Sequence, residues 1–77
     1  MSIIHPTAII HDGAVIGADC KIGPFCIVGS NVVLGERVEL VSNVILDGKT
    51  FIDDDSIVYP FAVLGVMSQD LKWQDES

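Results

Sequence analysis

Seventy-seven residues are enough for one small domain. Hydrophobic residues make up 49% of them and aromatics only 6%, so any interior is aliphatic, and a globule this small favours association or dependence on more chain. Eleven acidic against four basic side chains give a net charge of −7, which sets binding of nucleic acid and of anionic lipid aside.

The chain opens Met1-Ser2-Ile3-Ile4-His5-Pro6, with no basic segment and no long apolar run. Neither a signal peptide nor an integral membrane segment is expected, and the expected location is cytoplasmic. From there an aliphatic residue recurs at every sixth position: Ile4, Ile10, Ile16, Ile22, Val28, Leu34, Leu40, Leu46, Ile52, Val58 and Leu64. No helix has that period. Four residues beyond each stands a small or compact one, in the order Ala8, Ala14, Cys20, Cys26, Val32, Val38, Val44, Thr50, Ser56, Ala62 and Ser68. Each of these lies two before the next aliphatic residue, so in extended chain both point to one side.

Turn formers fill the gaps, among them Asp12-Gly13, Ser30-Asn31, Ser42-Asn43, Gly48-Lys49 and Asp54-Asp55. Gly17, Gly23, Gly29, Gly35 and Gly65 follow the aliphatic position, where a bend is about to begin. Short extended pieces separated by bends bury a shared interior by coiling as a three-sided prism, about 18 residues per coil at the ~4.8 Å strand spacing. Pro6, Pro24 and Pro60 then fall at one corner, together with Phe25 and Phe61. The expected fold is all-β: a parallel β-helix of hexapeptide repeats, a little under four triangular coils, over residues 1–67. A loop or tail leaves it over 68–77.

Residues just before the aliphatic positions point outward. One face carries Ile3, Lys21, Glu39 and Ile57; the second Ile9, Ile27, Ile45 and Val63; the third Val15, Val33 and Phe51. Two apolar outer stripes point to an interface, and to a homotrimer that hides one edge and its flanking faces. Cys20 and Cys26 occupy inward positions and read as packing. His5 and His11 lack a third ligand for zinc, and no metal or cofactor is expected.

Three stretches are more specific: HPTAII at His5–Ile10, IGPFCIVG at Ile22–Gly29 and QDLKW at Gln69–Trp73. Together they resemble the opening of the UDP-N-acetylglucosamine acyltransferases of lipid A biosynthesis. The resemblance implies a left-handed β-helix, a homotrimer, and transfer of a 3-hydroxyacyl group from acyl carrier protein to the 3-hydroxyl of UDP-N-acetylglucosamine. By that match Gln69 and Asp70 contact the glucosamine and Lys72 an anionic part of the substrate; an amide, a carboxylate and an ammonium suit those groups. Trp73 stands where tyrosine is common, Ser68 where asparagine is frequent, and Asp53 where a repeat glycine is expected. The family's catalytic histidine lies beyond position 77, so the chain corresponds to the first third or so of such an enzyme and is expected to be inactive alone. A non-catalytic hexapeptide assembly module and a hexapeptide transferase using acetyl-CoA are the alternatives.

Overall fold

The computed structural model describes residues 1–65. Eleven short strands follow one another: β1 (Ile3–Ile4), β2 (Ile9–Ile10), β3 (Val15–Ile16), β4 (Lys21–Ile22), β5 (Ile27–Val28), β6 (Val32–Leu34), β7 (Glu39–Leu40), β8 (Ile45–Leu46), β9 (Thr50–Ile52), β10 (Ile57–Val58) and β11 (Val63–Leu64). Each has two or three paired residues, because a bend every six residues leaves no room for more. They form three parallel sheets: β1-β4-β7-β10, β2-β5-β8-β11 and β3-β6-β9. We call these the first, second and third sheets.

Register follows the repeat. Ile3 pairs with Lys21, Lys21 with Glu39 and Glu39 with Ile57, each 18 residues on. The second sheet pairs Ile9 with Ile27, Ile27 with Ile45 and Ile45 with Val63. The third pairs Val15 with Val33 and Val33 with Phe51. The fold is therefore an all-β parallel β-helix, consistent with the left hand that the resemblance implies.

Both inward columns meet on the axis. Ile22, Val28, Leu34, Leu40 and Leu46 are buried together with Cys20, Cys26, Val32, Val38 and Val44. Both thiols are free and fully enclosed, and Cys20 Sγ donates to the Gly35 carbonyl at 3.1 Å. Ile16 and Ile52 pack on this core but are only partly buried. Ile4 and Leu64 occupy the same column yet remain 44% and 37% exposed, because among the described residues no coil is stacked beyond them.

Three corners connect the sheets. At the second bend position the backbone turns left-handed: φ is +58° at Asp19, +59° at Phe25, +56° at Arg37, +52° at Asn43, +62° at Asp55 and +68° at Phe61, with Gly13 at +96°. Asp12-Gly13, Ser42-Asn43 and Asp54-Asp55 thus behave as their turn chemistry predicts. The glycines after the aliphatic column have a different reason from the one expected. Of the five, only Gly65 has positive φ. A Cβ on Gly17 or Gly23 would instead overlap the carbonyl of Gly35 or Val41 in the next coil. Close approach of stacked coils, not backbone freedom, selects glycine at those two positions.

Candidate functional site

The residues expected to grip a sugar nucleotide, Gln69, Asp70 and Lys72, lie outside the described residues, as do the boundary at 67 and the tail. What the described prism offers is a surface with three unlike edges.

The first corner joins the first and second sheets. Here His5 Nδ1 lies 2.8 Å from Thr7 Oγ1 and accepts from the Thr7 backbone N–H at 3.1 Å. Thr7 Oγ1 in turn accepts from the Phe25 backbone N–H at 3.0 Å. With Nδ1 an acceptor, the neutral ring carries its proton on Nε2. His5 thus serves to shape a turn. His11 is exposed on the second sheet, one strand away, and its backbone N–H donates to Val28 at 2.9 Å. Among the described residues neither histidine side chain hydrogen-bonds to a carboxylate, and no group of three potential metal ligands exists.

Above Thr7 the corner stacks Phe25, Asn43 and Phe61, joined by Asn43 N–H to Pro24 carbonyl at 2.9 Å and Phe61 N–H to Asn43 carbonyl at 3.1 Å. Phe25 is 61% and Phe61 79% exposed. Between them and Ile27, Ile45 and Val63 runs an open cleft of about 240 Å³, floored by Asn43. A second depression, about 360 Å³, crosses the outside of the first sheet between Lys21 and Glu39 on one side and His5, Gly23 and Val41 on the other.

The third corner, between the third and first sheets, is acidic. Asp19, Glu36, Asp54 and Asp55 fall in its bends together with Arg37, and Asp53 directly precedes one of them. Arg37 Nε donates to Asp55 Oδ1 at 2.6 Å and Nη2 to Oδ2 at 3.1 Å, while Nη1 reaches Glu36 Oε1 at 3.1 Å. The bidentate grip holds the Asp55 carboxyl below the usual carboxylate range and raises the guanidinium further. Asp54 Oδ1 accepts the Glu36 backbone N–H at 2.7 Å.

The sheets, their 18-residue register and the enclosed aliphatic columns define a hexapeptide-type parallel β-helix. Residues 4–75 match the family described as the GMPPB C-terminal domain, and the chain belongs to that family of hexapeptide-repeat-like β-helix domains. No curated protein and no solved structure matches it.

Sequence reasoning found both apolar outer stripes and placed Phe25 and Phe61 at one corner. It missed that this corner, rather than the edge between the second and third sheets, carries the most exposed aromatic surface among the described residues. The Pro-Phe pairs at 24–25 and 60–61 were the available signal.

Proposed function

We propose that this chain is the β-helical portion of a cytoplasmic transferase acting on a sugar nucleotide. The reaction it serves moves a 3-hydroxyacyl group from acyl carrier protein to the 3-hydroxyl of UDP-N-acetylglucosamine, and the working form is a homotrimer. The observation that carries this reading is the interruption of an otherwise unbroken repeat by QDLKW, following HPTAII and IGPFCIVG on the same prism. The prism supplies a rigid frame. Gln69 and Asp70 hold hydroxyl and amide groups of the sugar, and Lys72 pairs with a phosphate. The histidine that takes the hydroxyl proton is supplied by sequence other than these 77 residues, so the chain alone turns over no acyl thioester.

The family match favours a second reading, in which the prism is a non-catalytic assembly domain of a nucleotidyltransferase. Calorimetric titration separates the two. Binding of UDP-N-acetylglucosamine that weakens at least tenfold in Asp70→Asn and in Lys72→Ala supports the acyltransferase. Binding of acetyl-CoA instead points to another hexapeptide transferase, and binding of neither supports the assembly domain.

A further inference from the structure

The second corner, between the second and third sheets, is crossed by Asp47-Gly48-Lys49, which links β8 to β9. Two hydrogen bonds hold its first peptide group. The Gly48 backbone N–H donates to Asp47 Oδ1 at 2.8 Å, so the amide nitrogen faces the carboxyl of the preceding side chain. The Thr50 hydroxyl donates to the Asp47 carbonyl, on the same peptide group, at 2.7 Å. The Asp47 N–H in turn donates to the Leu64 carbonyl of the next coil at 3.0 Å, which fixes the backbone around it. On the previous coil Gly29 offers no side chain, and a Cβ there would press on Asp47 Oδ1. Asp47 is exposed, with its carboxyl over bare backbone and folded back on its own chain.

We propose that Asp47-Gly48 is a site of spontaneous isoaspartate formation and that the Thr50 hydroxyl promotes it. The Gly48 nitrogen attacks Cγ of the protonated Asp47 carboxyl and forms the N–Cγ bond of a five-membered succinimide. One carboxyl oxygen leaves as water, carrying its own proton and the one the amide gives up. Water then adds at either ring carbonyl. Breaking the N–Cγ bond restores aspartate. Breaking the bond from the Asp47 carbonyl carbon to nitrogen leaves the chain running through Cβ and Cγ, with the main-chain carboxyl free. No reactant but water is required.

Three features drive the step. Holding nucleophile and electrophile in contact removes much of the entropic cost of ring closure. Glycine presents its nitrogen with no side chain beside it. Loss of the amide proton moves negative charge to the Asp47 carbonyl oxygen, where the Thr50 hydroxyl already donates, as a donor in an oxyanion hole does. Asp12-Gly13 supplies a comparison within the same chain: the same dipeptide, also exposed, with Gly13 in the left-handed region. Among the described residues, however, no hydrogen bond joins the Gly13 amide to the Asp12 carboxyl, and Val15 stands where Thr50 would correspond. The product matters to the coil. A Cβ on Gly48 would overlap the Gly65 carbonyl and one on Gly65 the Asp47 carbonyl, so an added main-chain atom has no room.

Incubation of the folded chain, followed by digestion and electron-transfer fragmentation, counts isoaspartate separately at positions 47 and 12. The expected result is accumulation at 47 roughly tenfold faster than at 12, a ratio that collapses when the chain is kept in denaturant. Thr50→Val keeps a β-branched strand residue and removes the hydroxyl. With an unchanged far-ultraviolet spectrum, it should slow the reaction at 47 about threefold or more and leave 12 untouched. Equal rates at the two sites in the folded chain, or a faster rate at 12, overturn the proposal without any variant. A ratio that persists in denaturant traces the difference to neighbouring sequence and overturns it too. An unaltered rate at 47 in Thr50→Val overturns the part assigned to the hydroxyl.

Discussion

At the scale of single residues, the stacking of coils is limited by backbone rather than by side chains. Gly23 shows this best: a Cβ built there overlaps the Val41 carbonyl and crowds that of Leu40. Its amide also donates to Leu40 at 2.8 Å, so the segment cannot simply move away. Gly23→Ala is expected to destabilise the fold by about 1–3 kcal/mol, the usual penalty for overpacking a rigid site. Denaturant unfolding measures it. An alanine variant with an unchanged midpoint would mean the coils have slack that the geometry denies. The need for glycine here was legible in the sequence, but its reason was not. A one-dimensional pattern marks where glycine recurs and says nothing about which carbonyl lies 18 residues away.

Coils are the next scale up, and their positions were almost wholly legible. Period six fixes which residues point inward, and the 18-residue return of Pro6 and Pro24 fixes three-sidedness. Leu34 and Leu40 are buried for that reason alone. Burial at the ends was not legible, because a repeat looks the same whether or not another coil covers it. Leu40 and Leu64 share their repeat position but not their surroundings, being 1% and 37% exposed. Leu40→Ala should therefore cost about 2–5 kcal/mol, in the range for emptied core sites. Leu64→Ala should fall well below that. The comparison is made by parallel denaturant titrations of the two variants. Equal losses would show that Leu64 is covered after all. Hand and substrate contacts belong to a different category. Spacing does not distinguish left from right, and the QDLKW segment breaks the periodicity that made everything before it readable.

Over the whole molecule, the uneven distribution of charge produces a definite response to acid. Asp55 is held below the ordinary aspartate value of 3.8 by hydrogen bonding and attraction to Arg37. A carboxyl with a lowered folded-state pKa contributes stability above its unfolded value and loses that contribution as pH falls through the folded one. The loss therefore begins below about pH 4 and continues downward. Arg37→Gln removes the cation and with it this contribution of Asp55. Between about pH 4 and pH 2 the wild type should lose stability more steeply than Arg37→Gln, and the two unfolding curves should converge at the acid end. Added salt should narrow the gap at neutral pH, because every member of the pair is exposed. Parallel slopes in the two proteins would show that the Arg37–Asp55 clasp does not outlast solvent competition. The acidic edge would then act only through its net charge.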